Sequence, residues 1–307
     1  MRPSGFNKLR LAMTEVLIGI IGGSGLYQMS ELQAVQELQV STPFGAPADT
    51  IVTGKLRGVP VAFLPRFGRS HTYSPTAVPY RANIYALKSL GVKYIISASA
   101  VGSLQTEVKP LDLLIPDQLI DRTKHRVDSF FRDNGLVVHI GFAQPFCPEL
   151  SRIVAESASA LQLPEITIHP TGTYLCMEGP AFSTKAESNL YRSWGAHVIG
   201  MTNSTEAKLA REAQIAYATL ALVTDYDCWY ETHAPVTVEM VVANLRHNVT
   251  NAQAVLAEAI TRIGANPPHS LAHTALEQAI LTDISALRPE QKAQLRSSLG
   301  IILPPDF

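Results

Sequence analysis

Two aspartates separated by one residue are the side chains best placed to do chemistry. Asp225 and Asp227 follow an apolar run at residues 216–223 that is typical of a buried strand. In an extended chain both would lie on one side, at the carboxyl end of a strand, where α/β proteins usually bind ligands. A carboxylate there can accept hydrogen bonds from an amino group, and a carboxyl group with a raised pKa can protonate a leaving nitrogen. The plainer alternative is two solvated aspartates that close a turn.

A glycine-rich loop and a basic loop are candidates for binding an anion. Residues 22–26 follow an apolar run at 16–21, and their glycines would let backbone N–H groups converge on a phosphate beside the Ser24 hydroxyl. The loop lacks the lysine of a P-loop, and the spacing of a dinucleotide motif breaks at Gln28, so a small phosphate site or a plain tight turn is left. The loop at residues 65–71 contains Arg66 and His71, and it either binds an oxyanion or is a solvated basic loop.

Small residues and a helix start add two further places where a ligand can reach the backbone. The predicted strand at residues 94–103 ends in small side chains, which allow close approach to the main chain. Thr202 precedes a predicted helix at residues 203–214, and the free N–H groups at its start favour an anion.

Strands and helices alternate along the chain. This alternation predicts an α/β fold in one domain, with a central mixed or mostly parallel twisted sheet flanked by helices. Thr184, followed by Glu187, predicts a capping box at the start of a helix that runs to about Trp194. We expect a flexible leader at residues 1–13, the main domain at 14–265, and a helical tail at 266–307 packed on that domain or on a neighbouring subunit. The predicted strands are 16–21, 51–56, 59–64, 94–103, 111–119, 172–177, 197–201 and 216–223.

Composition excludes several classes of function. A hydrophobic fraction of 46% and a charged fraction of 17% fit a well-buried protein. The net charge is -1, without a basic block, which argues against nucleic acid as a partner. No apolar stretch is long enough to span a membrane. Cys147, Cys176 and Cys228 form no C-x-x-C pair, so neither a disulfide framework nor a cysteine zinc site is indicated, and a cytoplasmic location is expected.

Seven motifs, taken together and in order, resemble those of the trimeric purine nucleoside phosphorylases, and most closely the members that cleave methylthioadenosine. The resemblance covers roughly residues 16–264. The motifs are Gly22-Gly23-Ser24-Gly25-Leu26, Pro65-Arg66-Phe67-Gly68, Ser97-Ala98-Ser99-Ala100-Val101-Gly102-Ser103, Glu178-Gly179-Pro180, Phe182-Ser183-Thr184-Lys185-Ala186-Glu187, Gly200-Met201-Thr202 and Thr224-Asp225-Tyr226-Asp227-Cys228-Trp229.

The resemblance implies a reaction in which phosphate attacks C1′ of a purine nucleoside and releases the base. For methylthioadenosine the products would be adenine and 5-methylthioribose 1-phosphate. Cleavage of such a bond passes through an oxocarbenium-like state, and protonating the base at N7 neutralises its developing charge. Inorganic phosphate is then a co-substrate, no cofactor or metal is expected, and the subunits would form a homotrimer or a hexamer of two trimers.

The resemblance also implies a role for each matching position. Phosphate would be bound by Ser24, Arg66, Phe67, Ser99, Ala100 and Thr202. Asp225 would be the catalytic residue that protonates N7, and Asp227 would bind the 6-amino group, which favours adenine over a 6-oxopurine. The remaining substrate contacts would come from Phe182 against the purine, Ser183, Met201 beneath the ribose and Val238 in the 5′ pocket, where His139 or the tail of a neighbouring subunit also comes into question.

Three departures from the family pattern keep other functions open. Phe67 stands where this subfamily often has histidine, Ala181 replaces an expected arginine, and Thr205 replaces an expected proline. A phosphorylase of broader scope, acting on adenosine, methylthioinosine or inosine, is one alternative. A non-catalytic nucleoside-binding protein and a hydrolase that works without phosphate are the others.

Overall fold

The computed structural model of the chain describes residues 17–132, 134–230, 238–305 and 307. In this part of the chain, eleven strands form one sheet, which confirms the prediction of a single central sheet. The strands are β1 (Ile18–Gly22), β2 (Leu32–Leu38), β3 (Ile51–Leu56), β4 (Val59–Pro65), β5 (Tyr94–Ser103), β6 (Leu113–Leu114), β7 (Gln118–Arg122), β8 (Ile168–His169), β9 (Thr173–Met177), β10 (Val198–Gly200) and β11 (Ala216–Asp225). The helices are α1 (Tyr80–Ser89), α2 (Pro148–Ala160), α3 (Lys185–Ser193), α4 (Asn203–Glu212), α5 (Val238–Ala265) and α6 (Pro289–Leu299).

The centre of the sheet is β5, which pairs with three other strands. β1 and β11 run parallel to it on either side, and β10 runs antiparallel to its last residues. The main path through the sheet is β2-β3-β4-β1-β5-β10-β9-β7, with β11 joined to β5 and β6, and β6 joined to β8. Parallel and antiparallel pairs both occur, so the expectation of a mixed sheet is confirmed.

Helices cover both faces of this sheet, and the side chains on both sides of β11 are therefore buried. Ala218, Leu220 and Leu222 belong to a cluster that includes residues of α2 and α5. The alternating positions Tyr217, Ala221 and Val223 belong to a second cluster with residues of α1 and α4. Since successive side chains of a strand point to opposite faces, the result is three layers with the sheet in the middle.

Two parts of the strand pattern differ from the sequence-based expectation. The single strand predicted at residues 111–119 is wrong: β6 and β7 are separate, and they pair with β11 and β9 respectively. Pro116 lies between them, and a proline has no N–H to contribute to a ladder. β2 was not predicted; it is a mostly exposed strand at the edge of the sheet, and its sequence does not alternate regularly between apolar and polar residues.

The C-terminal residues pack into the same core as the helices. Leu295 and Leu299 of α6, with Ile302 and Phe307, are buried in the cluster that contains α1 and α4. Over the described residues, no helix combines the length and the apolar character needed to cross a membrane.

Candidate active site

Asp225 and Asp227 lie at the carboxyl end of β11, as predicted, but not on one side of an extended segment. β11 ends at Asp225, the pairing with β5 shifts register between Val223 and Asp225, and Asp227 opens a short 3-10 helix with φ of 49°. The prediction of two extended aspartates was wrong because the chain turns between them. The turn nevertheless joins the two residues: the backbone N–H of Asp227 donates to Oδ1 of Asp225 at 2.8 Å.

Neighbouring elements fix the end of β11 and the turn. On α5, the side-chain amides of Asn244 and Asn248 donate to the carbonyl oxygens of Thr224 and Val223 at 2.7 and 3.1 Å. The indole N–H of the buried Trp229, which ends the 3-10 helix, donates to the carbonyl oxygen of Ser103 at 2.8 Å. The turn that carries Asp227 is therefore held to both β5 and α5.

Both carboxyl groups are buried, and burial raises the pKa of each. For Asp225, hydrogen bonds from the Thr224 hydroxyl and the Asp227 N–H oppose the rise, and the negative charge of Asp227 adds to it. The Thr224 hydroxyl donates to Oδ2 of Asp225 at 2.7 Å. Oδ2 of Asp227 is buried with no donor in good hydrogen-bond geometry among the described residues, although the Ser188 and Ser183 hydroxyls lie close enough to oppose the rise in its pKa. The Asp225 carboxyl group is thus fixed by donors from residues 224 and 227, and Oδ2 of Asp227 can accept a further N–H.

Several of the anion-binding residues expected from the sequence lie where β1 and β4 end alongside β5, and Asp225 pairs with Gly102 further along β5. Arg66 follows β4 directly, and its backbone N–H donates to the carbonyl oxygen of Gly22 at 2.9 Å. Its guanidinium group donates from Nη1 to the carbonyl oxygen of Ala98 at 3.0 Å, one residue before Ser99. The hydroxyl of Ser99 lies 3.2 Å from that of Tyr174.

The start of α4 completes this group. Thr202 is the buried residue that precedes α4, and Glu206 in the first turn forms a buried ion pair with Arg66. Burial opposes the charge of Arg66, but the Glu206 carboxylate outweighs it and raises the arginine pKa. Arg66, Ser99, Ala100 and Thr202 are therefore brought to one place. Ser24 begins a short 3-10 helix right after β1, and its side chain lies outside the described part of the structure.

Phe67 packs against a histidine four residues later in the same loop. The ring centroids of Phe67 and His71 are 4.4 Å apart, with an interplanar angle of 31°. Where the family pattern has a histidine side chain at position 67, this chain has an apolar ring covered by an exposed imidazole. The backbone N–H of Phe67 is unaffected by this difference in side chain.

The residues expected to contact sugar and base are only partly brought together. Met201 packs on Gly179, where an added Cβ would lie 2.5 Å from its sulfur. Ser183 is buried, and its carbonyl oxygen accepts a hydrogen bond from the Cys228 thiol at 3.2 Å, which joins it to the turn of Asp227. The ring of Phe182, by contrast, is 49% exposed. Val238 is the first residue of α5, and its side chain lies outside the described part of the structure.

The other two departures from the family pattern are Ala181 and Thr205. Ala181 is exposed, so the missing arginine leaves no hole in the core. Thr205 is fully buried in the first turn of α4, where the proline of the family pattern would be tolerated because the first N–H groups of a helix need no partner within it.

Glu178 is a further residue of this region, and the sequence singled it out only as part of a motif. Its carboxylate accepts hydrogen bonds from the Thr76 hydroxyl and from the backbone N–H groups of Lys124 and His125, and it pairs with Arg126. Burial opposes ionisation, but these donors and the arginine charge lower the pKa of Glu178 to about 2. Glu178 thus ties the loop after β7 to the Gly179-Pro180 turn beneath Met201.

Glu206 was not predicted to matter for the site. The sequence offers one indication that Glu206 lies near the site: it is an acidic residue four positions after Thr202, in the first turn of a predicted helix. Within the described ranges, no cluster of three or more histidine, cysteine or acidic side chains is arranged to hold a metal ion.

Comparison with known proteins identifies the family of the chain. A model of the phosphorylase superfamily matches residues 17–261. An S-methyl-5'-thioadenosine phosphorylase of Thermosynechococcus vestitus is 61% identical over 283 residues, which cover 92% of this chain and 98% of that protein. One from a Synechocystis species is 56% identical over 304 residues, covering 99% and 93%.

Solved structures show the same relationship. A methylthioadenosine phosphorylase from an Antarctic soil metagenomic library superposes with a TM-score of 0.89 at 51% identity, covering 95% of this chain and all of that one. The methylthioadenosine phosphorylase of Schistosoma mansoni in complex with adenine gives 0.79 at 34% identity, covering 92% and 98%. The extent and identity of these matches place the chain in the phosphorylase superfamily, among the S-methyl-5'-thioadenosine phosphorylases.

Proposed function

We propose that this chain catalyses the phosphorolysis of S-methyl-5'-thioadenosine to adenine and 5-methylthioribose 1-phosphate. The observation that carries the proposal is the buried pair Asp225 and Asp227, joined through one backbone N–H, with Asp225 paired to Gly102 three residues after Ser99 on β5. A nucleoside phosphorylase needs these two parts: groups that stabilise the departing purine and groups that hold phosphate on the other side of C1′. Relatives with high identity over nearly the whole chain carry the same activity in their names.

We assign protonation of N7 to Asp225. A purine that leaves as an anion is a poor leaving group, and a proton delivered at N7 removes the charge as the glycosidic bond breaks. Burial favours the neutral, proton-bearing form of Asp225, and its two local hydrogen bonds fix the direction of the carboxyl group. Its function requires the protonated acid, which a raised pKa keeps populated at higher pH.

We assign recognition of the 6-amino group to Asp227. Its Oδ2 can accept an N–H, which adenine offers at position 6 and a 6-oxopurine does not. A 6-oxopurine would place a carbonyl oxygen against this carboxylate and leave a buried acceptor unpaired, at a penalty of about 1–3 kcal/mol. This favours adenine nucleosides by about tenfold to a hundredfold.

For phosphate, we propose ligands from four segments: the loops after β1 and β4, the middle of β5, and the residue before α4. Hydroxyls of Ser24, Ser99 and Thr202, the guanidinium group of Arg66, and backbone N–H groups including those of Phe67 and Ala100 would surround the anion. The N–H groups at the start of α4 add a favourable dipole. Phosphate held here is positioned to attack C1′ as positive charge develops on the sugar.

The remaining contacts and the setting of the enzyme follow from the same proposal. Met201 would lie under the ribose, Phe182 and Ser183 against the purine, and Val238 in the 5′ pocket. We further propose a homotrimer, or a hexamer of two trimers, working in the cytoplasm without a cofactor. The leader, main domain and tail are proposed at residues 1–13, 14–265 and 266–307.

The experiment is to measure adenine release from methylthioadenosine with and without phosphate, alongside base release from methylthioinosine and inosine. We expect release that depends on phosphate and is fastest with methylthioadenosine. Preference for methylthioinosine or inosine would contradict the role of Asp227, and equal release without phosphate would indicate hydrolysis. Binding without any release would identify a nucleoside-binding protein instead.

A further inference from the structure

We propose that Glu206 is a positioning residue for phosphate, acting through Arg66. The inference rests on the proposed function, because it takes Arg66 as a phosphate ligand. It concerns a residue that would not touch phosphate or nucleoside itself. The two side chains are 140 positions apart in the sequence, yet they form a buried ion pair with exposed fractions of 3% and 2%.

Counting donors shows how little freedom the arginine has. A guanidinium group carries five N–H bonds in a fixed planar fork. The Nε N–H of Arg66 and one N–H of Nη2 donate to the two carboxylate oxygens of Glu206. Nη2 also donates to the hydroxyl of Ser97 at 2.6 Å, and Nη1 donates to the carbonyl oxygen of Ala98 at 3.0 Å. The carbonyl oxygen of Ile21 is a further acceptor for Nη2 at 3.4 Å. Within the described part of the chain, four of the five N–H bonds are thus engaged, and one N–H of Nη1 is left for an anion.

Glu206 is itself held in place from two further directions. Besides Arg66, its Oε2 accepts hydrogen bonds from the Ser97 hydroxyl at 3.1 Å and the Tyr217 hydroxyl at 2.8 Å. Ser97 lies on β5 and Tyr217 on β11, so the carboxylate connects both strands with the arginine after β4. A carboxylate is required here because every contact of both its oxygens is with a donor, whereas an amide would place an NH₂ group against one of them.

The location of Glu206 links the arginine to the other phosphate-binding element. It lies in the first turn of α4, four residues after Thr202, so the carboxylate and the N–H groups at the helix start belong to one rigid unit. The side-on, two-point contact fixes the plane of the guanidinium group relative to that helix start. It also neutralises the arginine, so we infer that Arg66 contributes a directed N–H to phosphate binding more than a free positive charge.

The test is the variant Glu206→Gln, which keeps the size of the side chain and removes one acceptor. We expect the phosphate KM to rise about 10-fold to 100-fold, the range typical of residues that orient a ligating group. The KM for methylthioadenosine at saturating phosphate should change little. A lower phosphate KM would overturn the inference, because it would mean that Glu206 had been masking a charge that phosphate uses. An unchanged phosphate KM would overturn it as well.

Two comparisons separate positioning from a general loss of structure. Glu212→Gln removes another buried carboxylate from the same helix, which contacts Ser129 and Phe130 rather than Arg66, and it should leave the phosphate KM unchanged. In a double-mutant cycle, Arg66→Met and Arg66→Met/Glu206→Gln should have the same phosphate KM, since Glu206 has nothing left to position. Additive effects on phosphate KM would contradict the proposal.

Failure of the inference can be told apart from failure of the proposed function. If the unsubstituted protein releases no adenine with phosphate, the function fails before any variant is made. If it does, and the variants fold as judged by circular dichroism, the phosphate KM of Glu206→Gln decides the role of Glu206 alone. Partial recovery in Glu206→Asp, which keeps the charge, would support the orientation of Arg66 by a carboxylate.

Discussion

At the scale of single residues, the position of the Asp225 carboxyl group, the proposed acid, depends on the absence of a side chain at residue 102. Gly102 on β5 backs both aspartates: a Cβ added there would lie 2.9 Å from Oδ1 of Asp225 and 3.4 Å from Cβ of Asp227. Ile199 closes the third side at 3.3 Å, so the neighbours have little room to move. Since Oδ1 also accepts the N–H of Asp227, a displaced carboxyl group would lose that hydrogen bond.

We therefore expect Gly102→Ala to reduce kcat for adenine release about 10-fold to 100-fold, because a misplacement of about 1 Å can cost a factor of a hundred. The measurement is steady-state kinetics with methylthioadenosine, and Asp225→Asn serves as the reference for complete loss of the acid. Gly141→Ala is the matched control, since an added Cβ at that glycine meets nothing within 4 Å. Equal kinetics for Gly102→Ala and the original protein would show that the Asp225 carboxyl group tolerates displacement.

The residues of the candidate site differ in how far the sequence alone could predict them. The spacing of Asp225 and Asp227 was enough to predict a pair of carboxylates at the end of a strand. The spacing did not show the turn between them, because aspartate adopts the left-handed backbone seen at Asp227 more often than most residues but still uncommonly. The pair Arg66 and Glu206 was not predicted because its members come together only through the sheet and α4.

At the scale of elements, α3 illustrates a local signal that was sufficient. The spacing of Thr184 and Glu187 predicted a capping box, and the structure confirms it: the Thr184 hydroxyl accepts from the Glu187 N–H, and the Glu187 carboxylate accepts from the Thr184 N–H. The prediction of one strand at 111–119 was wrong because strand pairing depends on residues distant in the sequence. Which strand each half pairs with is decided by β9 and β11, which lie far along the sequence.

We expect Thr184→Ala to lower the free energy of unfolding by about 1 kcal/mol, the usual penalty for losing an N-cap. The Glu187 N–H loses its acceptor, the Thr184 hydroxyl, whereas the backbone N–H of residue 184 can still donate to the Glu187 carboxylate. This helix start follows Ser183 directly. The check is chemical denaturation. Ser193→Ala, at the other end of α3, is the control, since its hydroxyl donates only to a carbonyl within the exposed last turn. Equal destabilisation by both substitutions would show that the cap is not the cause.

At the scale of the whole molecule, a buried carboxyl group on α4 couples folding to pH. Glu212 accepts hydrogen bonds from the Ser129 hydroxyl and the Phe130 N–H, both at 2.7 Å, and so fastens the long loop after β7 to the helix. Burial raises the pKa of Glu212 from 4.5 to about 7, against the two hydrogen bonds; the charge of Asp128 adds to the rise, and that of Lys208 opposes it.

A raised carboxyl pKa means that the folded state binds the proton more tightly than the unfolded state. Stability from this group is therefore complete below about pH 4.5 and falls as the pH rises to about 7, by up to about 3 kcal/mol. We expect Glu212→Gln, which cannot ionise, to remove this fall. The measurement is the difference in free energy of unfolding between the two proteins at pH 5 and pH 8, with Glu290→Gln on the exposed surface as the control for the charge change. A difference that does not vary with pH would contradict this account.

The central position of β5 also has a consequence for how the protein is made. Its parallel partner β11 leaves the ribosome much later than β1, β4 and β5 itself, and it brings both aspartates with it. A nascent chain that ends before residue 216 therefore has β5 with an unpaired apolar edge, which is a template for aggregation. Such a chain lacks both aspartates proposed to contact adenine, so we expect that substrate cannot stabilise it. Nucleoside binding is thus a property that arises late in synthesis, and a ligand could rescue misfolded full-length chains but not chains stalled before β11.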